Sequence, residues 1–355
     1  MGEDAGLRRI ADDAVAALGA EGGDGAEQTG VVARVTRGEP GALPATTPAE
    51  VLLDAAWGRA DRRHGLPMTP RHRFAMASGC KGFTAAAVLA LVADGTLRLD
   101  TTARSLLRDD LPLIADDVTV EHLLGHRSGI GEYFDDDADV SEYLMPVPVH
   151  ALVDAEDYVP ILDGFPQAFP AGSEFAYCNG GFVVLALLAQ RASGIPFHDL
   201  VRARVTQPAG MTSTGYPRSD ALPGDAAVGY VQVAGEWRSN VHHLPVVGGG
   251  DGGAYTTTLD MERFWRALLG GAILPADVVA RMRAVPDDDA SADHRYGLGL
   301  WLPGTGDAVA LEGEDTGVSF WSTHEPATGL TWTVAGTTAD AAWPVVRALR
   351  EALSA

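Results

Sequence analysis

The sequence predicts an α+β fold: one antiparallel sheet assembled from both ends of the chain and flanked by helices, with a mostly helical stretch inserted between its two parts. Three observations carry this. Period-two alternation of apolar residues is confined to the two ends of the chain, and helical periodicity fills the middle. The composition is 46% hydrophobic and 21% charged over 355 residues, which suits a soluble globular chain forming about two domains or a single large one.

The elements follow in order. Leu7–Leu18 reads as a short amphipathic helix, and Glu21–Gln28 is a Gly- and acid-rich linker, so residues 1–29 are expected to form an N-terminal helix and linker ahead of a main domain, 30–355. Within that domain the sheet part is predicted over about 30–77 and 290–355, and the helical part over about 78–289. Val31–Arg37 and Val51–Arg59 are predicted strands around a Pro/Thr-rich loop. Ser78–Ala93 is the strongest helix: Phe83, Ala86, Val88, Leu89, Leu91 and Val92 give a broad apolar face, and Gly95 ends it. A short helix opens at Thr119–Leu124. Leu152–Pro170 is loop-rich, with three prolines. Gly181–Gly194 and Pro196–Val205 read as consecutive helices, and Thr258–Leu269 as a helix with a Thr N-cap. Strands are then predicted at Tyr296–Leu302, Val318–His324 and Leu330–Thr337, with a Pro326–Gly329 turn between the last two, and Asp340–Leu353 closes the chain as a helix.

Charge excludes some functions. With 48 acidic against 26 basic residues the net charge is −22, which makes the chain a poor general binder of nucleic acid or anionic lipid. No run of about 18 apolar residues exists, so no membrane span is expected. Glu3, Asp4, Asp12 and Asp13 interrupt the first twenty residues, which have no apolar export segment, and the cytoplasm is the expected compartment. Two cysteines, Cys80 and Cys178, cannot build a disulfide framework; both are expected to be buried thiols, with a bridge between them left open. Among the basic residues 25 are Arg and a single one is Lys, Lys81.

That lysine stands in Ser78-Gly-Cys-Lys81, at the start of the strongest helix. Residues i and i+3 share a helix face, so hydroxyl and ammonium can meet. The helix N-terminus adds free N–H donors and a partial positive charge. A serine there is placed to attack a carbonyl, its own N–H helping to hold the oxyanion. A serine N-cap beside a solvated lysine satisfies the same spacing. The solitude of Lys81 favours chemistry, because the arginine used elsewhere holds its proton too tightly for proton transfer. Downstream, Tyr177-Cys-Asn179 follows the Pro170–Ser173 turn. In extended chain Tyr177 and Asn179 face one side, offering a phenol as base and an amide to bind a substrate ester or amide. Taken alone this tripeptide is as well explained by loop chemistry.

Together these segments resemble the serine β-lactamase-like, penicillin-recognising hydrolases, especially the branch of class C β-lactamases, D-peptidases and carboxylesterases. The resemblance runs from about Gly30 to the C-terminus. Phe74-Ala-Met-Ala-Ser78-Gly-Cys-Lys81-Gly-Phe-Thr84 is similar to that family's nucleophile helix, and Asp94-Gly-Thr-Leu-Arg-Leu-Asp100 follows it. Leu123-Leu-Gly-His126-Arg-Ser128-Gly129, Phe169-Pro-Ala-Gly172 with Tyr177-Cys-Asn179, Gln207-Pro-Ala-Gly-Met211 and Tyr296-Gly-Leu-Gly299 match later signposts in order. The resemblance implies a serine β-lactamase/transpeptidase-like fold and a catalytic domain at 30–355. Ser78 would be the nucleophile, Lys81 its activating partner, Tyr177 the general base and Asn179 the group that orients a small ester or amide substrate. It implies hydrolysis through an acyl-enzyme, or acyl transfer by the same route, or an idle binding protein of the same fold; no cofactor or metal is called for.

One departure bears on substrate. The family's third motif, Lys/His-x-Gly, falls here on Leu311-Glu312-Gly313 or, in a shifted register, Asp315-Thr316-Gly317, and neither carries a cation. A substrate carboxylate beside Glu312, Glu314 or Asp315 would be repelled by about 1 kcal/mol or more. A neutral or cationic ester or amide is therefore expected rather than a penicillin. A strand N–H at Asp315 or Val318 is the expected partner in the oxyanion hole.

Other features have simpler readings. His126 with Ser128 is read as a structural turn rather than a second catalytic pair. His122 and His126 beside Glu121 lack a third ligand, so no zinc is expected. Gly248–Gly253 lacks the lysine and strand of a phosphate loop and reads as a flexible loop near the cleft. Asp135–Asp139 reads as a solvated acidic loop or an acidic rim.

Overall fold

A computed structural model describes residues 3–18, 28–39, 49–134, 147–285, 295–304 and 306–354. Its centre is a seven-stranded antiparallel sheet. The strands are β1 (Val31–Arg37), β2 (Glu50–Trp57), β3 (Arg295–Tyr296), β4 (Trp301–Leu302), β5 (Val309–Asp315), β6 (Val318–Glu325) and β7 (Leu330–Gly336). They lie in the order β2-β1-β7-β6-β5-β4-β3, so the two ends of the chain meet where β1 pairs with β7, Val31 opposite Gly336. The α+β class and the sheet built from both ends are those the alternation predicts.

Two layers of helix cover this sheet. Along β1, Val31, Ala33 and Val35 face one layer and Val32 the other; along β7, Trp332 and Val334 face the first and Ala335 the second. A period of two in a strand buried on both faces produces this split. On the outer face lie α1 (Glu3–Leu18) and the C-terminal helix, Trp343–Ser354, which pack on each other. On the inner face lies the larger core, with α2 (Lys81–Ala93), α3 (Asn179–Ser193) and α4 (Thr258–Leu269); the C-terminal helix is α5. Thr257 caps α4, its side chain accepting from the Asp260 N–H. Among the described residues no single helix is long and apolar enough to cross a membrane.

Several expectations change in detail. Tyr296–Leu302 is not one strand: the positive φ of Gly299 turns the chain, leaving two-residue strands β3 and β4 paired at Tyr296 and Trp301. A hairpin at Tyr230–Val233 and Glu236–Ser239, tied by a turn at Ala234–Gly235, has no counterpart in the sequence reading. The start of the strongest helix is a tight 3₁₀ turn, Ala77–Cys80, that runs into α2. The acidic run Asp135–Asp139, the Pro/Thr-rich loop at 40–48 and all of the Glu21–Gln28 linker but Gln28 lie outside the described residues.

Candidate active site

The Ala77–Cys80 turn is pressed against the sheet. A Cβ on Gly313 of β5 would lie 2.2 Å from the Met76 carbonyl oxygen, 2.8 Å from the Gly79 nitrogen and 3.0 Å from the Ser78 nitrogen. Only glycine permits this approach, and it brings β5 edgewise to Ser78. β4 pairs with β5 at Ala310 alone, so the later part of β5 lies beyond that pairing, and Glu312–Asp315 border the cleft. Ala77, directly before Ser78, has φ +43°, a strained conformation for a residue with a Cβ.

Lys81 is 1% exposed. Its Nζ donates to Ser78 Oγ at 2.8 Å, to Asn179 Oδ1 at 2.8 Å and to the Asp251 carbonyl oxygen at 2.9 Å. It also lies 4.9 Å from the centre of the Tyr177 ring. Three acceptors use all three ammonium hydrogens. Burial pushes the Lys81 pKa down, but the Tyr177 phenol and the Asp251 carboxylate pull it back, and the net shift is upward. Lys81 is therefore a charged donor to Ser78, not a neutral base, in the resting site.

Tyr177 sits between two rings. The imidazole of His126 lies against it at 4.2 Å, and Trp301 stacks on it at 6.0 Å and 6°. His126 is 1% exposed, and its Nδ1 accepts from the Cys178 N–H at 3.0 Å, which tethers the Tyr177–Asn179 segment. Burial first, and then the charge of Lys81, hold its pKa well below the ordinary value, so the ring is neutral. His126 thus turns to Cys178, and the carbonyl of the buried Ser128 accepts from Gln167 at 2.6 Å. His122 caps its own helix at Thr119. Among the described residues no group of three His, Cys, Asp or Glu could hold a metal ion. Cys80 and Cys178 are free, buried thiols; burial pushes Cys80 up to about 12.

A cavity of about 380 Å³ opens over Ser78, with Tyr177, Asn179 and Trp301 among its walls. Glu312, Gly313, Asp315 and Val318 line it too, so both registers of the third motif border the same cleft. They do so differently. A Cβ on Gly313 would run into the Ala77–Cys80 turn, whereas Asp315 and Val318 face each other as the last pair of the β5–β6 hairpin. The strand backbone beside Ser78 is thus that of Gly313, two residues before Asp315. Its described lining includes Asp251, Glu312, Glu314 and Asp315 and no lysine or arginine. Burial raises the Asp315 pKa to about 6; the neighbouring charges of Asp251 and Glu314 add to this, while the Thr316 N–H and Lys81 oppose it.

The sequence reading missed three groups here. Asp251 lies in the Gly248–Gly253 loop, which borders the cleft and is firmly tied: Thr84 Oγ1 donates to the Gly250 carbonyl at 2.6 Å, and His198 bonds the Gly248 carbonyl at 2.7 Å. The loop is thus held at several points rather than loose. Glu132 and Tyr133 reach in from the segment after Gly129. A lone carboxylate in a glycine-rich run was the one signal available for Asp251; none pointed to the other two.

Fold and site together define a protein of the serine β-lactamase type. The family model described as Beta-lactamase matches residues 14–353, and the chain belongs to that family. It is 34% identical over 187 residues to the esterase EstB of Burkholderia gladioli, covering 49% of this chain and 47% of that protein. It is 26% identical over 269 residues to a D-aminopeptidase of Cereibacter sphaeroides, covering 74% and 49%. The chain spans about half the length of these curated relatives. Among solved structures, a penicillin-binding protein from Bacillus halodurans superposes with a TM-score of 0.83 at 32% identity, covering 97% of this chain and 99% of that one.

Proposed function

We propose that this chain is a serine hydrolase cleaving an ester or amide through an acyl-enzyme on Ser78, esterase- or peptidase-like rather than an efficient β-lactamase. Ser78 Oγ attacks the carbonyl carbon while Tyr177 takes the hydroxyl proton and passes it to the leaving alcohol or amine. Charged Lys81 donates to Oγ and stabilises the forming alkoxide. The Ser78 N–H, with the Gly313–Glu314 backbone opposite it, holds the oxyanion. Water then attacks the acyl carbonyl, the bond to Ser78 Oγ breaks, and Tyr177 relays one water proton back to Oγ as the acid leaves. Asn179, fixed by Lys81, orients the substrate. The catalytic unit in this reading is 30–355, in the cytoplasm, with no cofactor.

The carrying observation is the single buried ammonium bound to both Ser78 Oγ and Asn179 Oδ1. The names of the relatives, esterase and D-aminopeptidase, support an ester or amide as the bond cleaved. The four carboxylates of the lining support a neutral or cationic substrate, because each opposes a substrate carboxylate. Purified protein and Ser78→Ala are incubated with a fluorophosphonate probe and with p-nitrophenyl esters. Labelling and turnover in the wild type alone support the reading; neither in the wild type contradicts it. A chromogenic cephalosporin tests the substrate, and its efficient turnover would overturn the argument from charge.

A further inference from the structure

Lys81 has two acceptors besides Ser78, and they come from distant parts of the chain: Asn179 Oδ1 from the first turn of α3, and the Asp251 carbonyl from the glycine-rich loop. Each is held by one of two adjacent residues. The Glu132 carboxylate accepts from the Asn179 N–H through Oε2 and from the Gly180 N–H at 3.3 Å through Oε1. Tyr133 Oη donates to Asp251 Oδ2 at 2.7 Å. Glu132 is itself fixed by the Tyr133 and Phe134 N–H groups, at 2.8 and 3.0 Å, so its carboxylate cannot turn without breaking its own loop.

We propose that Glu132 and Tyr133 act as one clip that sets the two acceptors around Lys81, Glu132 by holding the Asn179 backbone and Tyr133 by holding the Asp251 side chain, and so keeps the ammonium aimed at Ser78. This rests on the serine hydrolase reading above. Neither residue is required to touch the reacting atoms; both are positioning residues. The physical reason for such a device is that an ammonium has three donors and no built-in direction. Packing restrains its buried stem, and fixed acceptors set where the ammonium hydrogens point. Glu132 also places a carboxylate at the N-terminus of α3, where the helix dipole favours it.

Charge sharpens the argument. Burial raises the Glu132 pKa above the ordinary carboxylate range, opposed by its backbone N–H donors and reinforced by Asp251. Protonating Glu132 would put a hydroxyl where Asn179 and Gly180 present N–H donors, and release one arm of the clip. The charged and titratable groups around this cluster include Lys81, Asp251, Tyr177, Asp315, His126, Cys80, Cys178 and the buried phenols Tyr158 and Tyr216, whose pKa values burial holds well above the ordinary value. His126 and the two thiols stay neutral in the working range because burial disfavours their charged forms.

The test compares Tyr133→Phe, which removes one hydroxyl, and Glu132→Gln, which keeps an oxygen acceptor and removes the charge. Ester turnover is measured from pH 4.5 to 9, with melting temperature as a control on folding and Ser78→Ala beside them. Each variant is expected to lose kcat by on the order of tenfold to a hundredfold with KM changed less than about threefold. The double variant is expected to lose less than the product of the two, because both act through Lys81. Glu132→Gln is further expected to remove an acid limb that Tyr133→Phe retains. Wild-type kcat in both single variants overturns the clip, as does a rise in KM at constant kcat. If Ser78→Ala retains turnover, it is the serine hydrolase reading that fails rather than the clip.

Discussion

Gly313→Ala tests how β5 and the Ala77–Cys80 turn depend on one another. The new methyl carbon would lie 2.2 Å from the Met76 carbonyl oxygen and 2.8 Å from the Gly79 nitrogen, whereas ordinary contact begins at 3.4 Å. Backbone meets the methyl on both counts, so no side chain can swing away. Strand or turn must yield by about 1 Å. Overpacking of this kind costs about 1–3 kcal/mol, a few degrees of melting temperature. The effect on chemistry is larger in proportion, because a displacement of about 1 Å between reacting groups can lower the rate about a hundredfold. The assay is p-nitrophenyl ester turnover beside thermal melting. The prediction is a protein that still folds and has lost about two orders of magnitude in kcat. Wild-type turnover at an unchanged melting temperature would refute the close approach of β5 to Ser78.

Two further predictions concern titratable groups. His126→Ala leaves the Cys178 N–H without its acceptor and takes a wall from Tyr177, so a stability loss of about 1–3 kcal/mol is expected in chemical denaturation; His126→Asn, which can restore an acceptor, should recover part of it. Asp315 has a folded pKa of about 6, raised from an ordinary 3.8, so its contribution to stability is present below pH 3.8 and is lost as pH rises through about 6. Asp315→Asn should therefore raise the melting temperature at pH 7.5 and leave it unchanged near pH 3.5; the reverse pattern would contradict the burial of that carboxylate.

What could be read from the sequence divides by distance along the chain. Ser78 and Lys81 are three residues apart at a helix start, and Tyr177 and Asn179 two apart in extended chain, so local geometry alone pairs them. The sheet from both ends was legible because β1, β6 and β7 are short runs rich in β-branched and aromatic residues, and Leu330, Trp332 and Val334 alternate with Thr331 and Thr333 in β7. The register of the third motif was not: Leu311-Glu-Gly and Asp315-Thr-Gly both end in glycine, and the difference between them is spatial, a Cβ on Gly313 lying 2.2 Å from the Met76 carbonyl oxygen. Glu132 and Tyr133 were invisible, and Asp251 signalled only by its place in a glycine-rich run, because two segments far apart in the chain bring them to the surroundings of Lys81 and no periodicity connects them. Strands β3 and β4 are too short to carry an alternation, which is why they read as one.

Acylation of Ser78 is read most directly from the mass of the protein during turnover. Wild-type protein mixed with a slowly hydrolysed p-nitrophenyl ester, quenched in acid and digested, should show the acyl group on the peptide that contains Ser78, and Ser78→Ala should show none. An acyl group on another residue, or turnover by Ser78→Ala at the wild-type rate, would contradict the account.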